Sequence, residues 1–405
     1  MLEQLLRLGR KIIPKSIFKA CQPIYHYLLA MLAALVYRFP SRRIYVLMIT
    51  GTKGKTSTTE LVSAILETAG FKTAVANTVR IKLADDSRPN RSKMTIQGRF
   101  FTQRFLHQAV KAGCTHAVLE MSSEGAAQFR HKFVAMNALI FTNLTPEHIE
   151  SHGSYENYVK AKLKIAEALE KSSKPNKILI VNKDSAEADV FLKTKVAKKI
   201  TYDIKQAESW MEILPGQFNI YNVLAAVTFT RTLGIEEKII REAIANFKTV
   251  RGRMENVSTT DFDVIVDYAH TAESLQQVYE TYPSRRKLCV LGGTGGSRDH
   301  WKRPVMGGIA DTFCDQIFLT NEDPYDEDPM KVINEVAGGI KNKSKMKIIM
   351  DRREAIAAAI KVAKPTDVIL ITGKGTDPCI MGPNGTKIPW DDATVAREEL
   401  AKCGK

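Results

Sequence analysis

The sequence is poor in cysteine, and no two of its cysteines form a C-x-x-C pair or stand at the spacing of metal ligands. Cysteine-based metal and redox motifs are therefore absent, and we expect reduced thiols in a cytosolic setting. The six cysteines are Cys21, Cys114, Cys289, Cys314, Cys379 and Cys403. Low-complexity tracts and internal repeats are absent too, which excludes disordered and solenoid classes.

An apolar run long enough to span a bilayer is also missing near the N-terminus. The stretch from Ile24 to Tyr37 has about half to two-thirds of the length that a membrane-spanning helix needs. Arg38, Arg42 and Arg43 follow it directly, so it does not have the form of a signal peptide either. Residues 1–43 predict a basic and apolar helical segment that either packs on the next domain or contacts a membrane surface or a partner.

Acidic residues are the minority among the charged ones. Lysines and arginines number 59 against 44 aspartates and glutamates, a net charge of +15. This favours acidic partners such as nucleotides, nucleic acid, anionic lipid or a carboxylate-rich substrate. The aromatic and basic motifs of single-strand or RNA readers are missing, so we expect no nucleic acid. With 405 residues, 44% of them apolar, the chain is long enough for two or three globular domains.

The stretch "MITGTKGKTSTTEL" has the order of elements that a phosphate site requires. An apolar run from Ile44 to Thr50 predicts a buried strand, and the apolar spacing after the loop predicts a helix. Gly51 and Gly54 allow a tight turn whose N–H groups face phosphate oxygens. Lys55 would reach the terminal phosphates, and Thr56 can hold Mg²⁺.

This loop does not by itself name a reaction. Ile49 stands where the strict P-loop pattern has its first glycine, so the loop is a shortened G-x-x-G-K-T variant, and kinases, motors, GTPases and ligases all use such loops. Further along, a predicted strand ends at Glu120, where a magnesium-organising carboxylate belongs. A later strand places His148 just past its end, and an amphipathic helix carries Lys162.

The C-terminal part alternates short apolar strands with helical stretches, which predicts a parallel α/β sheet. A helix that ends in a linker places the domain boundary close to Val250. The run "GGTGGS" is not the G-x-G-x-x-G fingerprint, so it does not predict NAD binding.

Ten motifs occur in an order that resembles the Mur ligase family, most of all its UDP-N-acetylmuramoyl-tripeptide synthetases of the MurE type. They are "GTKGKTS", "LEMSSEG", "FTNLTPEHIESHGS", "YVKAKLKIAEAL", "PGQFNIYNVLAA", "RGRMENV", "VDYAHTAESL", "LGGTGGSRDHWKRPVMGGIA", "TNEDP" and "ITGKGTDP". The resemblance covers about Tyr45 to the C-terminus. It implies an α/β fold with a helical segment at 1–43, a central P-loop domain with a mostly parallel sheet at 44–250, and a C-terminal Rossmann-like α/β domain at 251–405.

The resemblance implies an ATP-dependent, ADP-forming amide ligase that makes cell-wall precursors. ATP would phosphorylate a substrate carboxylate, and an amine would attack the acyl phosphate. Because two anions meet in the first step, the site has to supply cations and oriented donors. The ATP-binding residues that it implies are Gly51, Thr52, Lys53, Gly54, Lys55, Thr56, Ser57, Asn143, Asn219, Asn222, Arg253, Asp267 and His270.

By the same resemblance, the catalytic residues are Lys55, Glu120, His148 and Lys162, with Mg²⁺ held by Thr56, Glu120, His148 and Lys162. Lys162 matches a lysine that the family carbamylates, which is chemically reasonable because an ammonium would repel Mg²⁺ and a carbamate can bind it. The alternative is that Lys162 is a solvated helix lysine like Lys160 and Lys164.

The substrate contacts that the resemblance implies are Thr95, Ser122, Gln128, Arg130, Arg298, Glu322, Asp323, Gly373 and Asp377. Arg298 would hold the α-carboxylate of the incoming amino acid. The family's D-N-P-R box ends here in Tyr325, which cannot replace a guanidinium that clamps a second carboxylate. With three acids nearby, the pocket favours a cationic side chain such as lysine over diaminopimelate.

The family's usual uridine-binding first domain is missing, because only about 45 residues precede the ATPase strand. The acceptor therefore stays open between a UDP-MurNAc-dipeptide, another acidic acceptor, and a non-peptidoglycan polymer of the polyglutamate type. A non-catalytic ATP-binding partner is a further alternative, against which the retained phosphate and metal residues argue. We expect a cytoplasmic monomer that uses ATP and Mg²⁺, and for residues 1–43 both alternatives stay open: packing on the next domain, or contact with a partner or the inner face of the membrane.

Overall fold

The chain forms two compact units in the computed structural model, which describes residues 15–92, 94–147, 149–258, 261–296 and 300–403, without the side chains of residues 15–20, 149 and 150. The first unit comprises Met1–Ala207 and Tyr221–Ala245, and the second comprises Glu208–Ile220 and Asn246–Lys405. The sequence predicts a boundary close to Val250, and it does not indicate that Glu208–Ile220 belongs to the second unit.

An eight-stranded sheet forms the centre of the first unit, in the order β4-β3-β2-β5-β1-β6-β7-β8. Its strands are β1 (Tyr45–Thr50), β2 (Thr73–Ala76), β3 (Arg80–Leu83), β4 (Asp86–Pro89), β5 (His116–Glu120), β6 (Ala138–Phe141), β7 (Ile178–Asn182) and β8 (Lys198–Tyr202). Strand β1 lies between β5 and β6 and pairs in parallel with both. The central strands are apolar almost throughout, since helices cover both faces of a parallel sheet.

The helices of the first unit connect these strands, and short 3₁₀ turns such as Pro40–Arg43 lie between some of them. They are α1 (Lys15–Val36), α2 (Lys55–Thr68), α3 (Arg99–Lys111), α4 (Ser123–Ala127), α5 (Ile149–His152), α6 (Tyr155–Glu170), α7 (Ala188–Leu192), α8 (Gln217–Thr232), which runs through the division at Ile220, and α9 (Glu237–Ala245). Helix α1 packs against α3. None of the described helices is long and apolar enough to cross a membrane.

A six-stranded sheet forms the second unit, in the order β13-β12-β11-β14-β10-β9, parallel except for β9. Its strands are β9 (Glu255–Asn256), β10 (Asp263–Val266), β11 (Lys287–Leu291), β12 (Gln316–Leu319), β13 (Met346–Ile348) and β14 (Val368–Ile371), and a separate hairpin contains β15 (Cys379–Met381) and β16 (Lys387–Pro389). The helices are α10 (Ala272–Glu280), α11 (Lys302–Phe313), α12 (Pro329–Ala337), α13 (Arg352–Val362) and α14 (Asp392–Lys402). Apolar clusters cover both faces of this sheet. Two mostly parallel α/β units confirm the predicted fold class.

Cys289 and Cys314 form a disulfide, so the prediction of six reduced thiols is wrong for this pair. Cys289 lies on β11, and Cys314 ends α11, the helix that leads from β11 to its neighbour β12. The crossover brings their Cα atoms to 6.2 Å although 25 residues separate them in the chain. No short cysteine motif marks such a pairing in the sequence.

Candidate active site

The phosphate loop connects β1 to α2. Gly51 has a φ of 151° and Gly54 a φ of 79°, values that favour glycine. Neighbouring atoms also leave no room for a side chain at either position. A Cβ added at Gly51 would lie 1.9 Å from Thr142 Oγ1, and a Cβ added at Gly54 would lie 2.1 Å from Asn222 Oδ1. The loop is therefore a compact turn at the N-terminus of α2, where the helix dipole and the N–H groups of a first helical turn favour an anion.

The end of β6 fixes this loop from the side. Lys53 N donates to Asn143 Oδ1 at 2.9 Å, and Thr52 N donates to the Asn143 carbonyl at 2.9 Å. Thr142 Oγ1 donates to the Lys53 carbonyl at 2.7 Å. Asn143, predicted as a nucleotide contact, thus holds the loop backbone. Ser57, the last predicted loop residue, is buried in the first turn of α2.

Lys55, Thr56 and Glu120 lie together at this end of the sheet. Thr56 Oγ1 donates to Glu120 Oε2 at 2.8 Å, and Lys55 Nζ lies 3.9 Å from Glu120 Oε1. The Glu120 side chain is buried at the end of β5. Thr78, just after β2, donates to the same carboxylate through its N–H at 3.0 Å and its hydroxyl at 3.1 Å. The register of three neighbouring parallel elements therefore assembles a cation, a hydroxyl and a carboxylate.

The chemistry of this cluster fits Mg²⁺. A carboxylate and a hydroxyl are the hard oxygen ligands that Mg²⁺ takes, and it usually keeps waters and substrate phosphates for the remaining positions. Consistent with so few protein ligands, no group of three His, Cys, Asp or Glu side chains suited to a metal occurs among the described residues. His148, the second predicted ligand, lies outside the described residues.

Lys162 is buried beneath the phosphate loop, which argues against a solvated helix lysine. Its Nζ donates to the Gly51 carbonyl at 2.6 Å and lies 4.9 Å from the centre of the Tyr158 ring. Burial, together with the charge of nearby Lys55, lowers the pKa of the Lys162 amine well below its usual value. Lys160, two residues earlier on α6, is exposed. The helix therefore presents one buried lysine to the site, and its surroundings favour the neutral amine.

The predicted peptide contacts form a second group in the first unit. Arg130 donates to Gln128 Oε1 at 2.8 Å and also to the Ile96 carbonyl. Thr95 shares a hydroxyl contact of 3.1 Å with Thr78, which connects it to the Glu120 carboxylate. Ser122 Oγ caps α4 by accepting a hydrogen bond of 3.1 Å from Gly125 N. Thr95 is thus linked to the cluster around Glu120, and Gln128 and Arg130 are linked to each other.

The remaining predicted nucleotide contacts lie on α8 and in the second unit. Asn222 Oδ1 accepts from Thr58 at 3.4 Å, and Asn219 Nδ2 donates to the Pro215 carbonyl at 2.7 Å. In the second unit, the Arg253 guanidinium lies 4.4 Å from the centre of the Tyr268 ring, and His270 packs on the same ring at 4.7 Å.

Asp267 fixes the backbone of this region by accepting from Met254 N at 2.8 Å and Ala269 N at 2.7 Å. Arg253, Asp267 and His270 are therefore neighbours within the second unit. Their contact with a nucleotide stays a prediction.

Four of the predicted amino-acid contacts meet in the second unit around one lysine that the sequence did not single out. Lys374 Nζ donates to Asp323 Oδ1 at 2.8 Å and to Asp377 Oδ2 at 3.4 Å. Gly373 has a φ of 104°, and a Cβ there would lie 2.3 Å from Glu322 Oε2. Arg298, the fifth predicted contact, lies outside the described residues.

This group is less acidic than its sequence suggests. Lys374 is buried and supplies a cation to Asp323 and Asp377. Burial raises the pKa of the Glu322 carboxyl, which favours its neutral form. A buried lysine therefore pairs with two of the three acids and burial favours the neutral form of the third, which weakens the basis for preferring a lysine substrate.

Thr78, Tyr158 and Lys374 are the residues that sequence reasoning missed. Tyr158 Oη shares a 2.9 Å contact with Thr52 Oγ1, so it supports the loop from α6. Thr78 lies just after a strand and Glu120 ends one, and that position was the one available signal for Thr78. Lys374 lies inside the motif "ITGKGTDP", but its partner Asp323 is 51 residues away in the chain.

Comparison with known proteins gives two matching families. Residues 49–214 match the Mur ligase middle domain, and residues 252–375 match the Mur ligase, glutamate ligase domain. The UDP-N-acetylmuramoyl-L-alanyl-D-glutamate–2,6-diaminopimelate ligase of Syntrophomonas wolfei is 35% identical over 404 residues, which cover 92% of this chain and 81% of that protein.

A second relative is the UDP-N-acetylmuramyl-tripeptide synthetase of Roseiflexus sp., 32% identical over 93% of this chain and 82% of that protein. Among solved structures, a UDP-N-acetylmuramoyl-L-alanyl-D-glutamate–2,6-diaminopimelate ligase superimposes with a TM-score of 0.60 and 27% identity. The superposition covers 89% of this chain and 79% of that one.

Proposed function

Because the chain belongs to the Mur ligase family, whose members are ATP-dependent ligases, we propose that it joins a free amino acid to a UDP-MurNAc-dipeptide or a related acidic acceptor. The observation that carries the proposal is the cluster of Lys55, Thr56 and Glu120 at the head of α2. Buried Lys162 lies directly beneath it, bonded to the loop at Gly51. This arrangement suits a reaction in which one anion has to approach another.

The proposed reaction has two steps. A carboxylate oxygen of the acceptor attacks the γ-phosphorus of ATP, and the bond to the β,γ-bridging oxygen breaks to release ADP. The amine of the incoming amino acid then attacks the acyl carbon, loses a proton, and expels inorganic phosphate. The chain supplies no nucleophile of its own, so its part is to position both reactants and to neutralise charge.

The residues of the first unit have distinct parts in this proposal. The N–H groups at the start of α2 and the Lys55 side chain would hold the β- and γ-phosphates, and Asn143 holds the preceding loop backbone by accepting from Lys53 N. Thr56 and Glu120 would hold Mg²⁺, which when bound neutralises charge on the phosphate oxygens. Thr78 orients the Glu120 carboxylate through two of its hydrogen bonds. Thr95, Gln128 and Arg130 are the proposed contacts of the acceptor peptide.

Carbamylation of Lys162 is part of the proposal. A neutral amine can attack CO₂, form an N–C bond and release one proton, whereas an ammonium cannot. The lowered pKa of Lys162 supports the neutral amine, and the neighbouring Lys55 would stabilise the resulting anion. Addition of ¹³C-bicarbonate should produce one carbamate resonance in the NMR spectrum of the chain. The resonance should be absent from the Lys162→Met variant and present in Lys160→Met; equal spectra would contradict the assignment.

The incoming amino acid is the least determined reactant. In the second unit, Glu322, Asp323 and Asp377 are proposed contacts, but Lys374 binds two of them. The acidic pocket therefore gives no physical reason to prefer lysine over diaminopimelate, and both belong in a substrate panel.

The experiment that tests the function measures ADP release and a new amide product. The chain is incubated with ATP, Mg²⁺, UDP-MurNAc-L-Ala-D-Glu and single amino acids, beside a γ-glutamyl acceptor, and products are identified by mass spectrometry. We expect an amide with the muramoyl acceptor, and a loss of about a hundredfold in Glu120→Gln. Glu242→Gln, an exposed acid on α9, is the matched control and should keep full activity.

The outcomes separate the alternatives. If an amide forms only with the γ-glutamyl acceptor, the chain is a ligase that acts outside peptidoglycan synthesis. Binding of ATP without turnover on any acceptor would favour a non-catalytic partner. We propose that the chain acts in the cytoplasm, where ATP and the acceptor are both available, and that it is a monomer. Sedimentation of the full chain measures the oligomeric state.

A further inference from the structure

Helix α1 carries an exposed apolar face that the proposed reaction does not use. The apolar stripe consists of Ile24, Leu28, Leu32, Leu35 and Val36, and each of these side chains is between 50% and 64% exposed. Their spacing places them on one side of the helix. Soluble proteins rarely leave contiguous large apolar side chains in water without a binding role.

The opposite face of α1 is already packed. Ala30, Ala33 and Ala34 are buried, and their small side chains allow close approach to α3. Tyr37 packs on His107 of α3 with ring centres 5.6 Å apart, and His26 contacts Arg99. The helix is therefore held in one orientation, and it cannot turn to bury the stripe without exposing its packed face.

The two helices that form this surface, α1 and α3, carry basic residues and no acids. The sequence contains no Asp or Glu from residue 4 to residue 59, or from residue 87 to residue 119, so α1 and α3 carry none. Arg38, Arg42 and Arg43 follow α1 and are exposed, as are Arg104 and Lys111 on α3. The segment Cys21–Tyr37 contains no charged residue at all. An apolar stripe between cationic residues is the pattern of helices that lie in a membrane interface.

We propose that the apolar stripe of α1 docks this chain on an anionic lipid bilayer surface. The leucines and isoleucine enter the boundary between headgroups and acyl chains, and the arginines bind lipid phosphates. The helix lies along the surface, since no described helix is suited to cross the membrane and only one side of α1 is apolar and exposed. This inference is independent of the ligase reaction.

A second copy of the chain is the main competing occupant. In a two-fold symmetric dimer through the stripe, the same patch faces itself, so arginines of the two copies would approach one another without acids to pair them. Anionic lipid offers the opposite charge to the same patch. Charge complementarity therefore favours the bilayer.

Flotation of the full chain with vesicles tests the proposal. We expect binding to vesicles of phosphatidylcholine with phosphatidylglycerol, weaker binding in high salt, and little binding to phosphatidylcholine alone. Leu28→Glu with Leu32→Glu should lower the bound fraction about tenfold or more. Ile388→Glu is the matched control: Ile388 is 57% exposed on β16, remote in sequence from α1, and its substitution should leave binding unchanged.

A second pair of variants tests the charges without touching the stripe. Arg43→Glu with Arg104→Glu should weaken binding to anionic vesicles about tenfold or more, whereas Lys238→Glu with Lys361→Glu, two exposed lysines elsewhere, should not. Unchanged circular dichroism would show that all variants fold. The proposal is overturned if the full chain does not float with anionic vesicles, or if both sets of variants bind like the wild type. It is also overturned if the chain is a lipid-free dimer that Leu28→Glu with Leu32→Glu converts to a monomer.

Discussion

Lys162→Met should change how the stability of the first unit depends on pH. Methionine has a similar length and fills the same buried space, so the substitution removes the titrating amine with little change in packing. In the wild type, burial and the charge of Lys55 hold the pKa of the Lys162 amine well below its usual value. The folded chain has then released a proton that the unfolded chain still binds.

The sign and size of the effect follow from this difference in bound protons. At pH values between the lowered folded pKa and the unfolded pKa of about 10.4, the unfolded state carries one more proton, so the free energy of unfolding of the wild type rises with pH. The slope for one proton is about 1.4 kcal/mol per pH unit. Each pH unit between the lowered folded pKa and the unfolded pKa should therefore stabilise the wild type by about 1.4 kcal/mol relative to Lys162→Met.

Urea unfolding in CO₂-free buffer measures this gain, and the chain provides an internal reference. All three tryptophans, Trp210, Trp301 and Trp390, lie in the second unit. Tryptophan fluorescence therefore follows the second unit, while far-UV circular dichroism also follows the first. We expect the pH-dependent difference in circular dichroism and none in fluorescence. A difference between wild type and variant that stays constant with pH would refute a neutral Lys162, and with it the carbamate.

Three further predictions concern single contacts. Gly54→Ala should weaken ATP binding about tenfold or more in calorimetry because its Cβ meets Asn222, whereas Gly70→Ala, also at positive φ but with open space around it, should only lower stability slightly. Thr78→Val should lower the free energy of unfolding by about 1–3 kcal/mol, because Glu120 loses a donor, and should reduce ATP turnover; unchanged turnover would remove Thr78 from the site. Lys374→Met should cost about 3–5 kcal/mol in fluorescence-detected unfolding by removing the cation that binds the buried Asp323 carboxylate, and adding Asp323→Asn should restore part of it.

The sequence predicted those parts of the fold that depend on residues close together in the chain. The strand, loop and helix around Gly51 and Lys55 follow one another in the chain, so apolar periodicity and turn residues suffice to predict them. The alternation of strands and helices likewise predicted parallel sheets in both units. The family assignment was confirmed because motif order, unlike any single motif, is specific.

The parts that the sequence did not predict depend on contacts between distant residues. Thr78 reaches Glu120 only because β2 and β5 are neighbours in the sheet, and Lys374 meets Asp323 only because β14 and β12 end at the same edge. The Cys289–Cys314 pair is of the same kind. The role of Asn143 was hidden for another reason: an asparagine can hold a loop or a ligand, and its residue type does not distinguish the two.

The fixing of the phosphate loop by Thr142 and Asn143 bears on the thermodynamics of nucleotide association. The backbone of Lys53 makes its hydrogen bonds to side chains that folding has already ordered. A nucleotide that arrives at such a loop finds its donors preorganised, and it does not bear the entropic penalty of immobilising them, about 1–2 kcal/mol per residue. The strand that neighbours the loop therefore lowers the entropic penalty of binding a nucleotide there.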